Sequence, residues 1–366
     1  MNINPPNHDI LQSSPSSVNI CPDIASGRYG HKRLQSMDML KLLAIFLVLW
    51  GHSEQYLLSC DFSDRAVYRH IYSFHMPLFM MISGFFFAMT IKPGVSKNIL
   101  AKARQLLLPA VCWTVIFELL SVMEDKNLFS LQSLSYGMLS SFWFLKSAFA
   151  CSILGMAPFL IFRRHFILAS FISLIVSQLL FKLPMVNLPF MYPAFLTGGI
   201  IYRYHDRFIA CARWIIPLCG GVCIICNMFL DADAYRTMKM GSALLADGSV
   251  IEPICWRIYK YFMGLCGAVA FIVLFDVIFS SPRTGRVFTI AAEWGKMTLG
   301  IYILQTFLLE RLLADILNFD GVPDLLFDFV ISPLISFGVM AVCVGIIRII
   351  RQNRYASFFL LGSKLR

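Results

Sequence analysis

The chain has 366 residues, of which 58% are hydrophobic and 14% are charged, with a net charge of +10 and a mean hydropathy of +0.70. A soluble globular domain carries about 25% charged residues, and here the apolar residues form runs that are long enough to span a bilayer. A soluble protein is therefore excluded. A β-barrel is excluded as well, because its strands alternate over short segments. The sequence predicts an all-α polytopic membrane protein.

The basic residues are dispersed in short loops between the apolar runs. This pattern is typical of membrane topology signals rather than of a phosphate-binding stripe, so no nucleic acid is expected as a partner. The most closely spaced cysteines, Cys219, Cys223 and Cys226, lack His or Cys partners at the spacing of zinc sites. No metal site is predicted.

The chain begins with a segment that is rich in Pro, Ser and Asn, and residues 1–30 are predicted to be a disordered cytoplasmic tail without a cleavable signal peptide. Residues 31–354 are predicted to form one transmembrane domain, and residues 355–366 a cytoplasmic C-terminal tail. About ten transmembrane helices are predicted, at residues 39–58, 74–91, 105–123, 143–162, 165–181, 189–203, 213–230, 257–280, 297–316 and 325–349.

The orientation of these helices follows from the Lys and Arg residues, which concentrate in cytoplasmic loops. With the N-terminus in the cytoplasm, 21 of the 31 basic residues fall on the cytoplasmic side. Both termini are therefore predicted to be cytoplasmic. The long connection 231–256 is predicted to lie outside, as a lid, an acceptor-contacting loop or a plain linker.

The first apolar helix, "LKLLAIFLVLWGHSEQYLL", contains two ionisable residues, Lys41 and His52. Eleven residues make almost three turns, so both side chains project from one face, roughly 16 Å apart along the axis. This face is expected to point into the bundle, because an ionisable group that faces lipid is costly. His52 is a candidate for proton abstraction near neutral pH, with a structural histidine as the alternative. For Lys41, the alternative is that its side chain extends to the lipid headgroups on the cytoplasmic side.

Other polar residues are predicted at the depth of His52, in the outer half of the membrane. They are candidates for orienting His52 or for binding an acceptor, with a structural interfacial role as the alternative for each: His75, Glu118, Trp143 and Lys146. Glu54 is two residues from His52, so it faces away and is predicted to be an interface residue.

The segment "RLQSMDMLKLLAIFLVLWGH" resembles the opening motif of the integral-membrane acyltransferase-3 family, the O-acyltransferases of bacterial surface glycans. Three later segments match the family in the same order: "FHMPLFMMISGFFF", "KARQLLLPAVCWTV" and "WGKMTLGIYILQ". The resemblance implies a protein of the bacterial inner membrane, with acyl-CoA, usually acetyl-CoA, as a co-substrate and no tightly bound cofactor. It also implies a sugar hydroxyl in the cell envelope as the acceptor.

By motif position, the resemblance implies that His52 is catalytic. It assigns the residues that bind the donor to the cytoplasmic mouth: Arg33, Asp38, Lys41, Lys102 and Arg104. Cationic side chains there suit the phosphates of CoA.

The chain departs from the family in two places. Before the third predicted span, the chain has Lys102 and Arg104 where members often have two or more arginines. In the motif of the ninth predicted span, Gln305 stands where members often have a histidine, so no proton chemistry is assigned to Gln305.

The predicted function is therefore O-acyl transfer, with acetyl the first candidate among short acyl groups. His52 acts either as a general base or as a nucleophile that forms an acyl-histidine. A glycan or lipid-linked-sugar transporter is one alternative, although transporters show internal repeats that are not evident here. A non-catalytic subunit of a polysaccharide synthesis complex is another. The acceptor, the acyl group and a homo-oligomeric state stay open.

Overall fold

The computed structural model describes residues 32–125, 135, 137–138, 141–180, 187–235, 251–279 and 285–364. The tail predicted at residues 1–30 and most of the connection 231–256 lie outside these residues. Within the described residues the chain is helical and contains no strand, as the sequence predicts.

Sixteen helices are described here and are numbered in chain order. Their bounds are α1 Lys32–Tyr56, α2 Ala66–Thr90, α3 Val95–Lys102, α4 Leu108–Asp125, α5 Trp143–Met156, α6 Phe166–Leu179, α7 Leu188–Arg203, α8 His205–Ala210, α9 Ala212–Met228, α10 Ile251–Ile278, α11 Arg286–Gly295, α12 Thr298–Phe307, α13 Ala314–Ile316, α14 Asp324–Leu326, α15 Ser332–Gln352 and α16 Arg354–Leu361. Single π-helical turns continue four of them, at Ala103–Leu107, Ala157–Ile161, Leu308–Leu313 and Phe327–Ile331.

Six of the described helical stretches are long and apolar enough to cross a membrane. A seventh crossing is possible if α11 and the helix that follows it form one span, with a bend of 69° between them. Several crossings in an all-helical chain make this a multi-pass membrane protein. The shorter helices α6, α7 and α9 fall at three further predicted spans.

Several helices extend beyond the predicted spans. Helix α2 begins at Ala66 rather than at residue 74, and α10 begins at Ile251 rather than at residue 257. The apolar run marks only the part of a helix that contacts hydrocarbon, whereas backbone hydrogen bonding continues into the polar interface. Hydropathy therefore underestimates helix length.

The sequence predicts no helix between the spans 257–280 and 297–316, whereas the structure has helix α11 there. It packs against α1, and a Cβ atom added at Gly295 would lie 1.9 Å from the carbonyl oxygen of Asp38. Glycine is therefore required for this close approach. The crossing fixes the sharp bend before α12 and places Lys296 at the same end of the bundle as Lys41. We call this end the basic end.

The segment predicted as a C-terminal tail forms the short helix α16, which packs against α4. The side chain of Asn353 caps its N-terminus by accepting from the backbone N–H of Tyr355 at 2.9 Å. The indole N–H of Trp113 donates to the carbonyl oxygen of Leu360 at 3.0 Å. Gly362 ends the helix at φ +64°, and a Cβ atom there would lie 2.7 Å from the carbonyl oxygen of Arg104.

Helix α1 lies inside the bundle, in contact with α2, α10, α11, α12 and α15. Its apolar residues Ile45, Val48 and Leu49 are almost fully buried in the main hydrophobic core. Because protein surrounds α1 on several sides, its polar side chains face other helices instead of lipid, as the pattern of Lys41 and His52 predicts.

Candidate active site

The imidazole of His52 lies beside the carboxylate of Glu310. The distance from Nδ1 of His52 to Oε1 of Glu310 is 2.9 Å, and each side chain is less than one-fifth exposed, at 18% and 19%. The approach is not aligned with a ring N–H, so the two groups are in close contact without a well-directed hydrogen bond. A carboxylate at this position can stabilise a positive charge on the ring.

Glu310 lies in the π-helical turn Leu308–Leu313 that follows α12. Turns of this kind occur often at functional sites, because the extra residue redirects side chains. The side-chain amide of Gln305 donates to Oε1 of Glu310 at 3.2 Å, and the hydroxyl of Tyr56 lies near the same carboxylate. Gln305 thus helps to fix the position of the Glu310 carboxylate.

Aromatic rings surround His52. The Tyr56 ring stacks on the imidazole at a centroid distance of 5.7 Å, and the Tyr72 ring is 6.4 Å away. Tyr72 in turn contacts His75 edge to face at 4.4 Å. Nδ1 of His75 donates to the carbonyl oxygen of Ile71 at 2.8 Å, since a carbonyl oxygen can only accept.

The other residues predicted at this depth have different neighbours. The side chain of Glu118 lies against Gly137, where an added Cβ atom would be 2.5 Å from Oε1. The ammonium of Lys146 donates to the carbonyl oxygen of Met138 at 3.0 Å. Trp143 packs against the hydrophobic cluster shared by α5 and α7. Their roles in orienting His52 or binding an acceptor stay predictions.

A cavity of about 910 Å³ opens at the basic end of the bundle. Within the described residues, no Asp or Glu lines it, whereas seven basic side chains do: Lys41, Lys92, Lys97, Lys102, Arg104, Lys296 and Lys364. The structure therefore brings together three of the predicted donor-binding residues. Asp38 is almost fully buried and pairs with Lys41 at 2.9 Å. Arg33 is part of α1, but its side chain lies outside the described residues.

Arg104 is the cavity residue with the clearest unmet hydrogen-bonding capacity. It lies in the π-helical turn Ala103–Leu107, and its Nε atom is buried without a hydrogen-bond partner. Buried donors are usually satisfied by protein or by a bound group. A guanidinium that lacks an internal acceptor is suited to an anionic ligand.

The residues that line the cavity reach to within one helical turn of His52 along α1, although His52 and Glu310 are not among them. Lys41 and Val48 of α1 both line the cavity, and His52 follows Val48 by one helical turn. Tyr302 lines it from α12, one turn before Gln305. The face of α1 that carries Lys41 thus runs along the cavity towards His52.

A second buried polar cluster lies on another side of α1. Nε of Arg65 is 3.4 Å from Oε2 of Glu54, and its terminal nitrogens contact Asp324, at 2.6 Å, and Asp328. The indole N–H of Trp50 donates to the carbonyl oxygen of Asp328 at 3.0 Å. Glu54 is therefore fully buried in an ion-pair cluster, and its prediction as an interface residue is wrong.

Sequence reasoning missed Glu310, Tyr56, Tyr72, Lys296 and Lys364. For Glu310 a signal was available, because "TFLLERLL" places Glu310 and Arg311 inside an apolar run. An acid within a membrane segment is a functional candidate by default. For Lys296 and Lys364, only the bend before α12 and the packing of α16 show that they reach the cavity.

A cationic cavity and a partly buried histidine–carboxylate pair in a bundle of apolar helices fit a membrane-embedded enzyme. Comparison with known families agrees: a family model described as "Acyltransferase domain" matches residues 34–348. The chain belongs to the acyltransferase-3 family and is a membrane acyltransferase, which argues against the transporter and the non-catalytic subunit.

Two relatives are similar along most of their length, and both carry the name "Nodulation protein NolL". The relative from Mesorhizobium japonicum is 28% identical over 356 residues, which cover 90% of this chain and 91% of the relative. The relative from Sinorhizobium fredii is 24% identical over 353 residues, which cover 90% and 92%. No solved structure matches the chain.

Proposed function

We propose that the protein transfers a short acyl group, with acetyl as the first candidate, from acyl-CoA to a sugar hydroxyl of a cell-envelope glycan or exopolysaccharide. One observation carries the proposal: a cavity lined by seven basic residues leads along α1 towards the His52–Glu310 pair. The choice of a sugar hydroxyl rests on the resemblance to the family.

The proposed topology has ten crossings in the bacterial inner membrane, with both termini in the cytoplasm. The short helices α6, α7 and α9 complete the set that begins with the longer spans and the bent helix pair. The basic end then faces the cytoplasm, as expected for a side that is rich in Lys and Arg. Cytoplasmic acyl-CoA would reach the cavity from that side.

The phosphates of CoA carry several negative charges, which the basic residues at the mouth would neutralise. Arg104 offers a buried donor without an internal partner, and Lys102 lies on the adjacent wall. Held at this end, the donor would extend its narrow thioester arm past Val48 towards His52. Phosphate binding and acyl transfer are thereby separated along the helix axis.

In the proposed reaction, Nε2 of His52 removes the proton from the acceptor hydroxyl, and the oxygen attacks the thioester carbonyl carbon. The C–S bond breaks, and the departing CoA thiolate takes the proton from His52. Glu310 is next to Nδ1, so it would stabilise the imidazolium and hold the ring in place. In the variant mechanism, Nε2 attacks the thioester first, the C–S bond breaks and the CoA thiolate leaves with the proton of the ring. The acceptor hydroxyl then attacks the acyl-histidine, which breaks the N–acyl bond and returns the hydroxyl proton to the imidazole.

Transfer of label from [¹⁴C]acetyl-CoA to an envelope-glycan extract by the purified protein tests the proposal. We expect His52→Gln to lower the rate by about 10²–10⁴-fold, because it removes the basic nitrogen. CoA binding, measured in parallel, should be unchanged, since the basic residues lie about three helical turns away.

Rates are compared per folded protein, so that a loss of folded enzyme is not mistaken for a catalytic defect. Glu310→Gln provides a second test: we expect a lower rate, because the carboxylate that would stabilise the imidazolium is lost. Full activity of His52→Gln would show that His52 is structural and would overturn the proposed mechanism.

A further inference from the structure

Three aromatic rings from three helices line the inner part of the cavity. Phe79 of α2 contacts Phe144 of α5 edge to face at a centroid distance of 5.8 Å, and Phe144 contacts Tyr302 of α12 at 5.6 Å. All three residues line the cavity. We call them the aromatic triad.

The aromatic triad is situated between the basic residues and the candidate catalytic pair. Phe79 is one helical turn beyond His75, and Tyr302 is one turn before Gln305. The Tyr302 side chain also interacts electrostatically with Glu310. A group that enters from the basic end and approaches His52 therefore passes alongside these rings.

The rings are held firmly in place. Phe79 packs against two hydrophobic clusters, both of which contain residues of α1, and Phe144 and Tyr302 each also pack against two. The edge-to-face contact between Phe79 and Phe144 and the tilted contact between Phe144 and Tyr302 add to this packing. A close-packed wall does not readily yield space for additional methylene groups.

We infer that the aromatic triad limits the length of the acyl group that the enzyme accepts. The inference rests on the proposed function, in which the phosphates are bound at the basic end. Fixing the phosphates fixes the reach of the thioester arm, so the acyl group comes to lie at the inner end of the cavity. A methyl group would fit against the rings, whereas a longer chain would collide with them.

Binding of unreactive S-alkyl-CoA thioethers with two, four and eight carbons tests this inference without an acceptor. Isothermal titration with the purified full chain in detergent gives an affinity for each analogue. We expect the wild type to bind the two-carbon analogue most tightly. Phe144→Ala should reverse this order, with a gain of about fourfold for each methylene that the opened space buries.

Phe86→Ala is the matched control. Phe86 lines the same cavity near its mouth, where its ring lies 3.6 Å from Nζ of Lys41. This variant should weaken all three analogues by a similar factor, without a change in their order. Phe144→Leu opens less space and is used alongside Phe144→Ala, so that one unstable variant does not decide the result.

An unchanged order in both folded Phe144 variants would overturn the inference, and so would a wild type that binds all lengths equally. If the wild type binds no analogue at all, the proposed donor itself is wrong. That outcome is distinguishable from a failure of the length limit alone, in which the two-carbon analogue would still bind.

Discussion

The chain contains two clusters of charged side chains, one buried around Arg65 and one along the cavity, and they differ in how the charge is neutralised. In the cluster around Arg65, one guanidinium contacts Glu54, Asp324 and Asp328. In the cavity, seven basic residues share the wall, and within the described residues only Lys41 forms an ion pair with a carboxylate. The first region is neutralised from within the protein, whereas the second is left with excess positive charge.

This difference separates a structural role from a binding role. An ion inside an apolar bundle is costly unless it is paired, so a closed network holds its helices together. Excess charge beside an open cavity is tolerated where water or a ligand can reach it. We therefore expect variants of the cluster to affect stability, and variants of the cavity to affect use of the donor.

The largest expected effect is that of Arg65→Met on stability. Removal of the guanidinium leaves Glu54 and Asp328 buried without their cationic partner, and breaking such a network costs about 3–5 kcal/mol. Thermal unfolding in detergent measures the loss, and the KM of the remaining folded enzyme for acetyl-CoA should be unchanged. Arg69→Met is the control, because Arg69 donates to the backbone carbonyl oxygens of Leu230 and Ser63. Equal stability of the Arg65→Met and Arg69→Met variants would contradict a structural role for the cluster around Arg65.

A smaller energetic effect, on binding instead of stability, is expected for Arg104→Ala. A hydrogen bond to a charged group contributes about 1.5–3 kcal/mol, so the KM for acetyl-CoA should rise by about 10–100-fold. Unfolding should change little, because Nε of Arg104 has no internal partner to lose. Arg104→Lys should restore part of the affinity, since it returns the charge without the planar fork. An unchanged donor KM together with a raised acceptor KM would contradict the role of the cavity.

How much of this site follows from the sequence depends on whether the relevant pattern is local. The shared face of Lys41 and His52 is predictable, because helical periodicity fixes it within α1. Glu310 is far from His52 in the sequence. It lies in a π-helical turn, which hydropathy does not indicate, and the fold brings it into contact with His52. Helix α11 was missed because its polar residues resemble a loop, although Gly295 packs tightly against α1. Depth alone also failed for Glu54, whose partners come from two other segments.

The smallest expected effect is that of Lys364→Gln, which tests whether the segment after α16 belongs to the donor site. Gly362 packs against the backbone of Arg104 and directs the chain so that Lys364 reaches the cavity wall. Lys364 is exposed, so its charge is screened and is worth at most about 1 kcal/mol.

We therefore expect the KM of Lys364→Gln for acetyl-CoA to rise by about threefold at low salt, and to approach the wild-type value at high salt. Arg351→Gln removes the same charge from the end of α15, and Arg351 is not among the residues that line the cavity. It should leave the KM nearly unchanged at both salt concentrations. Equal effects of the two variants would mean that CoA responds to the general positive charge of the basic end, and the segment after α16 would then have no part in the site.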